Sequence, residues 1–534
     1  KYWQGKVKGI WTLLKETAAG TESRLIDSDA QNKSEDADIA VQELGAGYVS
    51  YGHLTSTVSV WDTDIETAYN KLNEVKKILN SNGFVVKDEK LYGFESWKGA
   101  IPGNIGANVR RPMINTLNLT HMMPISAIWA GENTNEHLQE ICSEGNPHII
   151  CNTQGATPFK LNLNIGDVGH TIVIGPTGAG KSTLLCLLEL QWLKYPDAQV
   201  FIFDKQRSSR AATMAVGGIM YEPGSENAAI AFQPLAKIDN DNERIWAMQF
   251  VCDILEQQSI EITPGITREI EGALKALSDS PKEQRTFTSL NSLCQNQTIR
   301  DALHLYTLDG AYGQLFDADH DDIGNCFWLM FEMEELMEMG DNATVPALSY
   351  LFHRLEARFD GSPTLLVLDE CWLFLDKPMF AARLKNWLKT LRKRNVYVIF
   401  ATQEPADAAK SSIKATILSA CHTRIFLPDR EALTPEVAED YKTFGLSNTE
   451  LGILSTATEK QDYYYRSTKG RRLFSMELGP VTLAFVGASA PEDQQFMNKI
   501  STEVAPEHWA EALLENRGLD WAAELIREEE RRIA

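Results

Sequence analysis

The sequence predicts an α/β protein: a mostly parallel sheet covered by helices on both faces, preceded by a smaller α+β domain. Three observations carry this. The segment "TIVIGPTGAGKSTLLCLL", from Thr171, passes from a short apolar strand through a glycine-rich loop into a helix. From Gly169 onward, the apolar runs "TIVIG", "AQVFIFD", "TLLVLDE", "VYVIFATQ" and "TRIFLP" alternate with longer helical stretches. Strands buried on both sides show this pattern. Before residue 120 the signals differ, mixing strand and helix periodicity without regular alternation.

At 534 residues the chain exceeds one ordinary core. Residues 1–150 read as the N-terminal α+β domain, 151–490 as the main domain, and 491–534 as C-terminal helices. In order, "ESRLIDSDAQNKSEDADIA" (22–40) is polar and reads as an exposed loop, and "GAGYVSYGHLTSTVSVWD" alternates like a strand. "DIETAYNKLNEVKKILNSNG" predicts a helix, with acids early, lysines late and Gly83 just past its end. "FVVKDEKLYGFESWKGAIPG" returns to strand and turn signals, and "HIICNTQGATPFKLNLNIGDVGH" supplies short strand-like pieces. At about 240–316 the strand signal fades, and "DNERIWAMQFVCDILEQQ" and "ITREIEGALKALSD" predict an all-helical insertion. The tail from Asp493 reads as two or three amphipathic helices.

The formal charge is −22, from 51 basic and 73 acidic residues. A protein gripping nucleic acid chiefly through phosphates would be basic, so DNA contact is not favoured, although a local basic channel stays open. No apolar run reaches the roughly 18 residues that a membrane-spanning helix needs. The eight cysteines form no CxxC pair and read as reduced, small hydrophobes in a cytoplasmic compartment. The ten histidines show no HExxH or other metal spacing. The Met-rich "WLMFEMEELMEMG" reads as core. The first residue is Lys1, so the sequence is expected to start inside a longer protein.

Gly175, Pro176, Thr177, Gly178, Ala179, Gly180, Lys181 and Ser182, followed by Thr183, fit the pattern GxxxxGK[ST]. Glycines let backbone N–H groups approach phosphate oxygens, and a helix start offers free donors at the positive end of its dipole. Lys181 supplies a point charge to the β- and γ-phosphates of a nucleoside triphosphate, and the Ser182 hydroxyl ligates Mg²⁺. Chance produces the pattern in roughly 2% of chains this long at average residue usage. The strand before it and the helix after it supply the required context.

Asp369 ends the apolar strand of "TLLVLDECW", placed to hold the Mg²⁺ water shell. Glu370 follows, placed to orient or deprotonate an attacking water. Gln403, at the end of "VIFATQ", faces the γ-phosphate across the sheet edge as a sensor. "RLKNWLKTLRKRNVYV" holds Arg383, Arg392 and Arg394. Ring-forming NTPases take a transition-state cation from a neighbour; Arg392 is the candidate finger, with Arg424, Arg471 and Arg472 as alternatives. Asp204 either contacts the nucleotide or caps the next turn.

The ordered set "RRPMINTLNLTHMMPIS", "TPFKLNLNIGDVGHTIVIGPTGAGKSTLL", "FIFDKQRS", "ITPG", "LLVLDECWLFL", "ATQEPAD" and "YYYRSTKGRRLF" spans about 110–480. It resembles the large ATPases of conjugative transfer and type IV secretion systems; before residue 100 the resemblance is weaker. The resemblance implies a RecA-like P-loop motor domain with an all-helical insertion. It also implies an N-terminal domain, cut short here, that docks to the membrane or a partner at the cytoplasmic face of the inner membrane. It implies ATP hydrolysis with Mg²⁺, dimers and hexamers, and a role in pilus biogenesis and transfer of DNA or protein. By motif, Lys181 and Ser182 become the phosphate-loop pair, Asp369 and Glu370 the Mg²⁺ and water pair, Gln403 the sensor, and Arg392 the finger acting in trans. The implied partners are a small inner-membrane anchor protein, other channel subunits, and the related coupling and assembly ATPases. Two other readings compete. A DNA-translocating coupling-type ATPase is disfavoured by the acidic charge. A nucleotide-gated scaffold with little turnover is disfavoured by the Asp369–Glu370 pair.

Overall fold

The computed structural model describes residues 2, 4–7, 27–81, 83–123, 128–155, 157–225, 230–370, 387–388, 390–411 and 413–533. It divides into two compact units, 1–127 and 128–534.

The first unit is α+β. Strand β1 (Tyr51–His53) pairs antiparallel with β2 (Met113–Asn115), and the main helices are Ser28–Gly45 and Ile65–Ser81. The predicted loop at 22–40 is corrected over its described part: the Asp27 carboxylate accepts the Ala30 N–H and caps a helix. Polarity concealed that helix because it buries only Ala30 and Ser34. Two strand expectations also shrink. "GAGYVSYGHLTSTVSVWD" yields only β1, and 84–103 holds the helix Gly93–Gly99 and no strand among the described residues. Alternation marks a strand only where one face is buried, and all three residues of β1 are exposed.

In the second unit the helix Glu136–Cys142 precedes an antiparallel hairpin, β3 (Ile149–Cys151) and β4 (Phe159–Leu161). The hairpin bridges to the far edge of the main sheet through Asn152 and Ser475. The boundary therefore falls at 127/128 rather than 150. The sheet uses β5 (Thr171–Ile174), β6 (Gln199–Asp204), β7 (Ile219–Tyr221), β8 (Trp328–Glu332), β9 (Thr364–Asp369), β10 (Val396–Thr402), β11 (Thr423–Phe426), β12 (Asp462–Arg466) and β13 (Arg471–Ser475). Their order is β13–β12–β11–β5–β10–β9–β6–β8–β7. From β11 to β7 every pairing is parallel. The β12–β13 hairpin is antiparallel and closes one edge.

Residue alternation divides the core into two layers. Phe201 and Phe203 of β6 face the side covered by the insertion, with Leu255, Leu274 and Leu348. Val200 and Ile202 face Leu184, Leu188 and Trp192 of the helix Lys181–Trp192. Between β7 and β8 the insertion contains Asp241–Gln257, Pro264–Ser278, Phe287–Leu293, Gln297–Leu303 and Gly313–Phe316. Asn240 and Thr263 cap the first two. Met330 is buried in the layer beneath the phosphate-loop helix, while Met333 is buried in the opposite layer with Met337 and Met339 packed against that layer, so the Met-rich run is core. Three helices close the chain: Pro491–Glu503, Trp509–Asn516 and Asp520–Ile533. All described cysteines are free thiols; Cys371 lies outside the described residues. The parallel strands present Ile174, Asp204, Glu332, Asp369 and Thr402 at one shared edge, where such sheets bind ligands.

Candidate active site

The loop Gly175–Gly180 leaves β5 at that edge, between β10 and β11. Its glycines answer different demands. A Cβ on Gly175 would lie 2.3 Å from the Leu427 Cβ, so packing against the chain leaving β11 excludes a side chain. Gly178 and Gly180 have φ of +82° and +103°, a region that side-chain-bearing residues rarely adopt. The following helix then offers its first N–H groups to the loop's interior.

Lys181 is the first residue of this helix and is 5% exposed. Its Nζ donates to Asp369 Oδ1 at 2.6 Å and to Glu370 Oε1, reaching past the end of the intervening β10. Burial opposes the ammonium charge, but the two carboxylates outweigh it and hold Lys181 above the ordinary lysine value. Glu370 sits at φ +52°, a costly backbone state for a residue with a side chain. Its N–H donates to Ala401 O and to Asp369 Oδ1, which fixes that turn. Burial raises the Glu370 carboxyl above its usual range despite the opposing pull of Lys181. Between the two halves, Gln403 follows β10, and its Oε1 accepts the Thr177 hydroxyl of the phosphate loop. Lys181, Asp369, Glu370 and Gln403 thus converge on one edge. Ser182 and Thr183 follow in the first helical turn, both half-buried.

The residues present suit a nucleotide with a divalent ion. Among the described residues no group of three or more His, Cys, Asp or Glu side chains forms a metal cage. Ser182 and Asp369 instead offer hard oxygens, the kind magnesium takes together with phosphates and water.

Asp204, one strand beyond β9, accepts the Ser208 hydroxyl at 2.8 Å and the Ser209 N–H at 2.9 Å. Of the two roles left open, the geometry is that of a cap. Burial, then the nearby Asp369 charge, push its carboxyl up. Sequence reasoning missed Glu332, which accepts the N–H groups of Gln206, Arg207 and Glu334. It also missed Glu189, fully buried on the phosphate-loop helix. Burial is the largest cause lifting Glu189 well above the ordinary 4.5, and the Asp204 and Asp369 charges add. The folded state therefore favours its protonated form. That contribution to stability is complete below 4.5 and is lost as pH rises through the raised value. Glu189→Gln is expected to raise the thermal midpoint relative to wild type, by more at about pH 8 than at about pH 5. A difference independent of pH would contradict this.

Arg392 begins a short 3-10 turn before β10, at the opposite edge from the phosphate loop. The seven residues of β10 span about 23 Å, so Arg392 cannot reach the site of its own chain. It is 49% exposed and donates from Nε and Nη2 to Asp167, both at 2.6 Å. The alternatives are likewise engaged within the chain. Arg424 donates to Phe444 O and Leu418 O. Arg472 donates to the Thr153 hydroxyl and Thr157 O, and Arg471 lies 3.4 Å from the buried Glu450. Arg394 donates to Glu356 O. Arg383 lies outside the described residues.

The TraG P-loop domain family matches residues 266–470, a span that holds Asp369, Glu370, Arg392 and Gln403 but begins after the phosphate loop. The chain is 38% identical over 533 residues to a probable conjugal transfer protein TrbE of Sinorhizobium fredii, covering 98% of this chain and 79% of that protein. It is 36% identical over 532 residues to the conjugal transfer protein TrbE of Rhizobium radiobacter, covering 98% of this chain and 64% of that protein. The solved VirB4 of Thermoanaerobacter pseudethanolicus aligns over 63% of this chain and 98% of its own, with 18% identity and a TM-score of 0.51. This likeness agrees with the RecA-like P-loop architecture expected from the sequence. The agreement in sequence runs nearly end to end, through both halves of the site, and the chain belongs to the TrbE family of conjugal transfer proteins.

Proposed function

We propose that the chain is an ATPase of a conjugative type IV secretion machine. In this reading it binds ATP with Mg²⁺ at the carboxyl edge of its sheet and hydrolyses it to ADP and phosphate. The observation that carries it is the meeting of Lys181 with Asp369 and Glu370, with Gln403 between them. The Gly175–Thr183 backbone binds the phosphates, and Lys181 transfers its charge from the two carboxylates to the β- and γ-oxygens. Ser182 and Asp369 would hold a Mg²⁺ ion, which would supply positive charge to those oxygens. Glu370, released from Lys181, orients a water and accepts its proton. Gln403 reports the γ-phosphate to the loop through Thr177.

The work performed is pilus biogenesis and transfer of DNA or protein substrates. The place is the cytoplasmic face of the inner membrane, peripherally bound; no helix among the described residues is long and apolar enough to cross a membrane. The partners are copies of the chain in dimers or hexamers, a small inner-membrane anchor protein, other channel subunits, and the coupling and assembly ATPases.

Arg392 completes a neighbour's site. Its place at the edge opposite its own phosphate loop supports action in trans. The test mixes Arg392→Ala with Lys181→Ala, each inactive alone. Random assortment leaves roughly a quarter of head-to-tail junctions with both residues, so ATPase activity should reappear on mixing. No recovery at any ratio would remove Arg392 from the mechanism.

A further inference from the structure

The phosphate loop is tied to a distant part of the chain. The backbone N–H of Lys460 donates to Ala179 O at 2.9 Å. The Tyr463 hydroxyl donates to Gly180 O at 3.3 Å, a carbonyl that also accepts the Leu184 N–H at 3.1 Å. These two ties act on the last two peptides before the helix. Both peptides are trans, so each carbonyl points opposite to the N–H of the following residue. Drawing the Ala179 and Gly180 oxygens toward 460–463 turns the Gly180 and Lys181 N–H groups the other way, into the loop's interior.

The turn that makes these ties is itself rigidly held. Lys460 has φ +62°, unusual for a residue with a side chain. The Thr458 N–H donates to Asp462 Oδ2 at 2.9 Å, and Asp462 Oδ1 accepts the Ser475 hydroxyl at 2.6 Å. This anchors the turn to β13. The Tyr463 ring is buried and stacks on Phe474 with centroids 5.5 Å apart. A Cβ on Gly180 would lie 2.8 Å from the Tyr463 hydroxyl and 3.1 Å from the Lys460 Cα. Glycine at 180 is therefore required by the strap as well as by its own φ.

We propose that residues 458–463 are a positioning strap: the Lys460 N–H and the Tyr463 hydroxyl aim the Gly180 and Lys181 amides at the nucleotide phosphates. This rests on the nucleotide site of the preceding section. Tyr463 and Lys460 are positioning residues, acting through the loop backbone rather than touching the substrate. The strap also couples phosphate occupancy to the β12–β13 hairpin, since the turn leads directly into β12.

The test measures binding of a non-hydrolysable ATP analogue with Mg²⁺ to the full chain, together with the thermal midpoint without nucleotide. Tyr463→Phe keeps the buried ring and removes one hydrogen bond. Its Kd should rise about fivefold, with the midpoint within about 2 °C of wild type. Lys460→Gly keeps the N–H and accepts φ +62° without strain, so its affinity should match wild type. Lys460→Pro has no N–H and a φ near −65°, so its affinity should fall about tenfold or more. Wild-type affinity in Tyr463→Phe would overturn the strap. So would an equal loss in Lys460→Gly and Lys460→Pro, which would make the ammonium the operative group. Lys181→Ala in the same assay separates the two ideas. If wild type and Lys181→Ala bind alike, the site reading fails; if only Lys181→Ala loses binding while Tyr463→Phe does not, the strap alone fails.

Discussion

Lys181→Ala is expected to weaken binding of Mg²⁺–ATP by about 100-fold or more, close to 3 kcal/mol. The lysine is buried and already aimed at the shared sheet edge, so its replacement leaves the phosphates without their closest cation. The same change acts on stability without any ligand. Asp369 and Glu370 both lose their partner, and leaving buried carboxylates uncompensated costs about 3 kcal/mol or more. Without the ammonium, burial and the neighbouring Asp369 charge push the Glu370 carboxyl further up. The variant should therefore be less stable than wild type at pH 7 and recover part of the difference as pH falls. Equilibrium nucleotide titration and thermal unfolding across pH check both parts. An unchanged Kd would contradict the account.

Glu370→Gln is expected to separate binding from turnover. Glutamine keeps the shape, and Lys181 keeps its bond to Asp369, so nucleotide affinity should stay within about threefold of wild type. The hydrolysis rate should fall about 100- to 10,000-fold, the range for loss of a general base. Burial raises the Glu370 carboxyl above its usual range. A base must be ionised, so wild-type activity should fall on the acid side at a higher pH than an ordinary glutamate gives. Steady-state rates against pH, with binding measured in parallel, provide the check. Near-normal turnover in Glu370→Gln would assign the water to another group.

The sheet and the site were legible for the same reason. A strand buried on both faces must be apolar throughout, so β5, β9 and β10 appear as unbroken runs, and the polar residues that end β9 and β10 mark the ligand edge. Asp369, Glu370 and Gln403 were found by this punctuation, and Lys181 by the GxxxxGK[ST] pattern that follows β5. The N-terminal unit lacks that contrast. Among its described residues only Ala30 and Val49 are buried hydrophobics, while Trp61 is 81% exposed. Periodicity carries little weight without a core, which is why residues 28–40 of the first long helix read as a loop.

Other features depend on contacts far apart in the chain. Nothing in the spacing of "EKQDYYYR" shows that the Lys460 peptide meets Ala179. Gly175 is recognisable as part of a phosphate-binding motif, but its packing against Leu427 depends on β11 lying beside β5. Glu189 reads as an ordinary helix residue, and only the fold buries its carboxyl between the sheet and the helix. Asp204 could be placed at a strand end from sequence alone, whereas its capping role needed the positions of Ser208 and Ser209.

The most direct measurement is a structure of the assembled protein with Mg²⁺ and a non-hydrolysable ATP analogue. The account predicts the β- and γ-phosphates against the amides of Gly178–Thr183 and Lys181 Nζ, with the metal between Ser182 and Asp369. It also predicts a neighbour's Arg392 guanidinium approaching the γ-phosphate. A nucleotide bound away from these groups would contradict it.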